Sequence, residues 1–212
     1  MSRYCAQCGR AKKACICSMI QTVQAKTQLI ILQHPTEVKR AKGTAKILTL
    51  SLSNCHCFIG EDFSQHSPFN ELLQQPGYDN LLLYPAENAM ELSLQNIPSA
   101  KHKSSRQTKA DKNSVRLILL DGTWKKAFKM YQLSTNLHHL PSYRLANSVQ
   151  GQYTIRKAPD SNSLSTVEAG YHALSVIEPD SDFTPLLFAF EQFVEAYLQQ
   201  VPAELVKQRY NR

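Results

Sequence analysis

The chain has 212 residues, 42% of them hydrophobic, enough for one sizeable α/β core with room for a small appendage. Twenty-four Lys and Arg against seventeen Asp and Glu leave a net charge of +7, which suits a polyanionic partner because cations beside phosphates release condensed counterions. The polar start "MSRYCAQCGR" lacks the apolar stretch of a signal peptide, and no apolar run reaches the roughly 18 residues that span a bilayer, so the expectation is a cytoplasmic protein.

In chain order, residues 1–18 come first, rich in cysteine and poor in core-type residues. Cys5, Cys8, Cys15 and Cys17 form C-x2-C-x6-C-x-C. Four thiolates this close can surround one tetrahedral Zn²⁺ in a knuckle with almost no core of its own. The alternative is a pair of disulfides, which a reducing cytosol disfavours. With every position filled by protein, such a metal is structural, or the knuckle is a nucleic-acid contact surface. Residues 1–20 are therefore expected as a knuckle and 21–212 as one domain.

From Thr27 onward, short apolar runs alternate with helical patterns. "TQLIIL" (27–32) predicts a buried strand, and "HPTEVKRAKGTAKILTLSL" a loop leading into a helix. "CHCFIG" (55–60) predicts a second strand whose Cys55 and Cys57 share one side as small core hydrophobes. "NLLLYP" (80–85) and "VRLILL" (115–120) predict a third and a fourth. Strands separated by helical segments imply a parallel sheet with crossover helices. The polar, basic stretch "SAKHKSSRQTKADKNS" (99–114) has no periodicity and is expected as a mobile surface insertion.

After the fourth strand, Trp124, Ala127, Phe128 and Tyr131 fall at i, i+3, i+4 and i+7, predicting a buried helical stripe with Lys125, Lys126 and Lys129 opposite. "STVE" at 165–168 is a capping box, and Gly170 inside the following helix implies close packing. "PLLFAFEQFVEAYLQQ" predicts a last helix with an apolar face from Leu186 through Phe190, Phe193 and Tyr197.

Ligands of parallel sheets gather beyond the carboxyl ends of the strands. There the chain supplies His34, Glu37, Lys39 and Arg40, then "YPAEN" with Pro85 and Glu87, then "DGTW", and later "LSTVEA" with Thr166 and Glu168. Each has a plainer explanation. His34 can be an ordinary loop histidine, Glu168 a helix cap, Glu87 a carboxylate near a helix's positive end, and Asp121 the N-cap of the helix holding Trp124. Their convergence in a basic chain points to a site.

In "LDGTWKKA", with Asp121, Thr123 and Trp124, the chain resembles the DTW-domain family. The N-terminal cysteines, "LILQHPTEVKRAKGTAKIL", "LLLYPAENA" and "YRLANSVQGQYTIRKAPDSNS" before "LSTVEA" match that family's pattern in order, over nearly the whole chain. Gly43 departs from it, standing where an asparagine is common. The resemblance implies a tRNA-uridine aminocarboxypropyltransferase of bacterial type. Such an enzyme moves the 3-amino-3-carboxypropyl group of S-adenosylmethionine to uridine N3, making acp3U, typically at tRNA position 47, and releases methylthioadenosine.

The implied fold is α/β and similar to SPOUT methyltransferases, a mainly parallel sheet with a C-terminal trefoil knot. Under this resemblance the cofactor loops are Tyr84, Pro85 and Glu87; Leu120, Gly122, Thr123 and Trp124; and Leu164, Ser165, Thr166 and Glu168. Asp121 lies at the reacting centre, either taking the N3 proton or binding the donor's amino group. Trp124 is packing for the loop or a wall of the pocket. His34, Lys39, Arg40, Lys125, Arg156 and Lys157 are candidates for RNA contacts, and a monomer is the favoured state. The competing expectations are an RNA methyltransferase using the same donor and a zinc-knuckle RNA-binding protein without activity.

Overall fold

Six strands line up in one sheet in a computed structural model that describes residues 2–98, 114–149 and 164–201. They are β1 (Gln28–Gln33), β2 (Cys55–Ile59), β3 (Tyr78–Leu83), β4 (Met90–Glu91), β5 (Ser114–Asp121) and β6 (Ser142–Arg144). Their order is β2-β1-β5-β3-β6-β4, and every neighbouring pair is parallel. The near-continuous apolar runs of β1 and β5 suit this place, because a central parallel strand is covered on both faces.

Alternation assigns the two faces. Leu29, Ile31, Leu117 and Leu119 join one core cluster, and Ile30, Leu32 and Ile118 the other. The helices α1 (Ala45–Ser51), α4 (Thr166–Ile177) and α5 (Thr184–Leu198) cover the first face, and α2 (Ser67–Gln74) and α3 (Trp124–Leu133) cover the second. Gly170 lets α4 approach α1 closely: a Cβ there would stand 3.0 and 3.1 Å from the two methyl carbons of Leu48. The face of α5 is as predicted, with Leu186, Phe190 and Phe193 buried.

Several expectations change. The two- and three-residue strands β4 and β6 were not predicted, since so few residues carry no periodicity. In α3 the buried residues are Ala127 and Met130, while Trp124 and Phe128 are 54% and 56% exposed. The buried face is thus shifted from the predicted stripe: Ala127 and the partly buried Tyr131 keep their place in it, and Met130 replaces Trp124 and Phe128 against the second core cluster. Cys57 is exposed and Cys55 half-buried, because β2 is an edge strand. Ser114 opens β5, and the rest of the predicted insertion, 99–113, lies outside the described residues.

The cysteine-rich segment is not set apart from this body. Cys8 and Ile16 belong to the first core cluster. Arg10 donates to the carbonyls of Ala41 and Gly43, both at 2.6 Å, and its guanidinium lies 4.7 Å from the centre of the Phe193 ring. Among the described residues, no helix is long and apolar enough to cross a membrane.

Candidate active site at the carboxyl edge of the sheet

From the end of β1 the chain moves to β2 on one side, whereas from the end of β5 it moves to β6 on the other. Adjacent parallel strands that depart in opposite directions leave a crevice, and ligands collect in it. Gln33 and Asp121 are register partners at this point. Asp121 is only 6% exposed. Its Oδ2 accepts from Gln33 Nε2 at 2.7 Å, its Oδ1 accepts from the hydroxyl of Thr166, and its carbonyl accepts from the His34 amide at 3.0 Å. The capping alternative for Asp121 is overturned: Thr123 is the N-cap of α3, its hydroxyl accepting from the Lys126 amide at 3.4 Å.

Beside Asp121 lies a cavity of about 670 Å³, within the range of small-molecule and cofactor sites. Tyr84 and Pro85 follow β3; Leu120, Gly122, Thr123, Trp124 and Lys125 surround the end of β5; Leu164, Ser165 and Thr166 lead into α4. The three loops singled out in the sequence therefore converge on one space. Gly122 keeps its turn close to α3: a Cβ there would lie 3.1 Å from the Lys126 Cβ. The Tyr84 ring stacks on Tyr131 at 4.6 Å, and burial pushes its phenol above the ordinary value.

Two predicted members stand elsewhere. Glu87 is exposed and does not line the cavity. Glu168 is buried in the capping box, where Oε2 accepts from the Ser165 amide at 2.7 Å and the Ser165 hydroxyl accepts from the Glu168 amide. A remaining wall was missed: Tyr143, Arg144, Leu145, Ala146, Asn147 and Val149, from β6 and the loop after it. Its signal was present in the motif "YRLANSV", but without a predicted strand it had no position at the sheet edge. Gln33 was missed too, because only the register with β5 makes it a partner of Asp121.

His34 is 7% exposed, and both ring nitrogens are engaged, Nδ1 with the Thr36 hydroxyl and Nε2 with Glu61, each at 2.9 Å. Both contacts brace the loop that follows β1. Lys126 continues this bracing through Glu37 Oε1 at 2.7 Å, and Arg40 pairs with Glu37 Oε2 at 3.3 Å. Lys129, then His34, holds the Glu61 carboxyl below its ordinary value. Lys39, Arg40 and Lys125 are exposed, and Lys125 stands at the cavity. Arg156 and Lys157 lie outside the described residues.

The four N-terminal sulfurs lie within 4.8 Å of one another, with Cys5–Cys17 and Cys8–Cys15 at 3.7 Å. A disulfide needs about 2.05 Å, so the paired-disulfide alternative fails. A tetrahedron with Zn–S bonds of about 2.3 Å has edges of about 3.8 Å, close to what is observed. Backbone hydrogen bonds from Cys8 and Gln7 lower the Cys5 thiol to about 6, whereas burial and the neighbouring thiols push Cys17 up to about 12. The cluster can hold a metal ion.

These features define an α/β protein with a ligand cavity at the carboxyl edge of a parallel sheet and a four-cysteine metal cluster. The chain belongs to the DTW-domain family, whose pattern matches residues 2–198. It is 31% identical over 182 residues to "tRNA-uridine aminocarboxypropyltransferase 2" of Mus musculus, covering 84% of this chain and 57% of that protein. It is 32% identical over 181 residues to the Drosophila melanogaster protein of the same name, covering 82% and 66%. "tRNA-uridine aminocarboxypropyltransferase A" of Arabidopsis thaliana is 25% identical over 241 residues, covering 98% and 88%. The chain thus spans less than two thirds of the animal relatives it matches. No solved structure matches it.

Proposed function

We propose that this protein transfers the 3-amino-3-carboxypropyl group of S-adenosylmethionine to N3 of a uridine in tRNA, at position 47, and releases methylthioadenosine. The observation that carries the proposal is the convergence of Tyr84-Pro85, Gly122-Thr123-Trp124 and Leu164-Ser165-Thr166 on one cavity, with Asp121 anchored next to Gly122 by Gln33 and Thr166. The names of the relatives support the reaction and the substrate.

The residues fit such a donor. Tyr84, Leu120, Leu145 and Val149 offer an apolar wall to an adenosine, and the start of α4 and the Gly122 turn offer polar backbone to its charged end. When bound, the donor supplies a carbon activated by a sulfonium. The chain's own residues hold that carbon in line with the nucleophile and keep the other sulfonium carbons away from it. Uridine N3 is a poor nucleophile until its proton leaves. The Asp121 carboxylate, oriented by Gln33 and Thr166, is the group that would accept from the N3–H or from the donor's ammonium group.

Around this core the reading takes Zn²⁺ as the ion of the cysteine cluster, a SPOUT-like fold with a C-terminal knot, a cytoplasmic location and a monomer. The deciding experiment incubates the protein with unmodified tRNA and donor labelled either in the carboxyl carbon or in the methyl group. Carboxyl label in a nucleoside with the mass of acp3U, together with released methylthioadenosine, is the expected result. Methyl label in tRNA with S-adenosylhomocysteine indicates a methyltransferase, and tRNA retention without any mass change indicates a binding protein; either overturns the proposal.

A further inference from the structure

The outer face of α3 is not explained by the core beneath it, and only its first turn borders the donor cavity. Trp124 and Phe128, four residues and one turn apart, are 54% and 56% exposed. Core packing is met by Ala127 and Met130, on a face about 110° around the helix from this pair, with Tyr131 partly buried beside them. At about 100° per residue, Lys125 and Lys129 form a second row beside the aromatic pair. Both lysines are exposed, and Lys129 is 58% exposed in its side chain although it pairs with Glu61 at 2.9 Å.

The face is continuous with the site. Trp124 and Lys125 line the cavity, and Phe128 carries the row one turn outward from its mouth. An aromatic ring as exposed as that of Phe128, one turn from a cavity mouth, costs solvation unless something covers it. The row of lysines, in a chain of net charge +7, selects an anionic occupant with flat apolar faces. A nucleic-acid strand with unstacked bases meets both demands: the rings take the bases and the ammonium groups take the phosphates. An acidic peptide would satisfy the lysines but has no systematic use for two rings flanking a nucleotide-sized cavity.

We infer that the outer face of α3 is a base-stacking platform on which Phe128 and Trp124 hold nucleotides adjacent to the target uridine while Lys125 and Lys129 hold their phosphates. This rests on the proposed action on tRNA and adds the element that presents the RNA to the cavity. Phe128 is the informative residue, since it does not line the cavity and its side chain is not part of the core.

The test uses the only tryptophan of the chain as a reporter. Trp124 emission is followed during titration with unmodified tRNA and with single-stranded oligouridine, for the wild type, Phe128→Ala, Phe128→Leu and Phe128→Tyr. The expected result is quenching by both RNAs, with affinity at least about fivefold weaker in the alanine and leucine variants and restored in the tyrosine variant. In the transfer assay, KM for tRNA rises by a similar factor while kcat and donor binding change less than about twofold. Leucine distinguishes stacking from mere apolar cover.

Equal RNA affinity in Phe128→Ala and wild type overturns the inference, whatever the transferase result. So does a wild-type dimer that Phe128→Ala dissociates, which makes this face a self-association surface. Phe128-dependent quenching without group transfer supports the platform while removing the transferase reading. Transfer unaffected by all three substitutions does the reverse.

Discussion

Replacing Asp121 by asparagine keeps the shape of the side chain and removes its charge. In the native structure Oδ2 accepts from Gln33 Nε2 at 2.7 Å and Oδ1 from the Thr166 hydroxyl. Bonds to a charged acceptor contribute about 1.5–3 kcal/mol each, against about 1 kcal/mol for neutral ones. Asparagine can keep both contacts if either the Thr166 hydroxyl turns to accept or Gln33 flips its amide. Each bond then loses about 1 kcal/mol, partly offset because the variant no longer buries a charge at a position 6% exposed.

The net cost of Asp121→Asn is therefore about 1–2 kcal/mol, or a Tm lowered by roughly 2–8 °C for a domain of this size. Function should suffer more. Loss of one charge-assisted contact to a substrate group removes about 1.5–3 kcal/mol, a drop of roughly 10- to 150-fold in turnover. Thr166→Val removes the hydroxyl but not the bulk, leaving Oδ1 one donor short. The measurements are thermal melts and single-turnover formation of the modified uridine for both variants and the double variant. The two substitutions share one hydrogen bond, so their effects on stability must fall short of additive. Asp121→Asn turning over at more than half the wild-type rate, or strict additivity of the melts, would refute the reasoning.

Removing by chelation the metal proposed for the cysteine cluster, or replacing Cys5 by serine, is expected to lower the melting temperature of the whole domain in one transition. Cys8 and Ile16 share the main core and Arg10 ties the cluster to Ala41 and Gly43, so a separate small early transition would contradict this coupling. Gly170→Ala should lower Tm: the usual helical gain of about 1 kcal/mol is outweighed by overpacking of about 1–3 kcal/mol against Leu48. A higher Tm would show that α4 and α1 do not approach so closely.

Acid titration tests the brace around His34. The Glu61 carboxyl is held below its ordinary 4.5 by Lys129 and His34, so its stabilising contribution is present above that value and fades as pH falls through the lower, folded one. Glu61→Gln should flatten this part of the stability profile between the two values and leave the neutral region nearly unchanged in slope. A profile identical to wild type in acid rejects the brace.

Much of this protein is written locally. The runs "LIIL" (29–32) and "LILL" (117–120) are apolar at every position, which only a strand covered on both faces tolerates, so β1 and β5 and their parallel setting follow from composition over a few residues. The capping box at Ser165 and Glu168 and the clustering of four cysteines are equally local, since each depends on spacings of a few residues. The sequence also put Asp121 at a strand end and marked three of the loops that meet there.

What it could not supply is which strands lie side by side. Insertion of β5 between β1 and β3 brings Gln33 to Asp121 across 88 residues, and α4 brings Thr166 across 45. The same docking decides which carboxylates remain at the site, spending Glu168 on a cap and leaving Glu87 outside the cavity. It also turns α3 so that Ala127 and Met130 meet the sheet and Trp124 and Phe128 meet solvent. Periodicity names the residues able to be buried on a helix with more than one apolar arc; the partner surface, formed by residues distant in sequence, selects the arc.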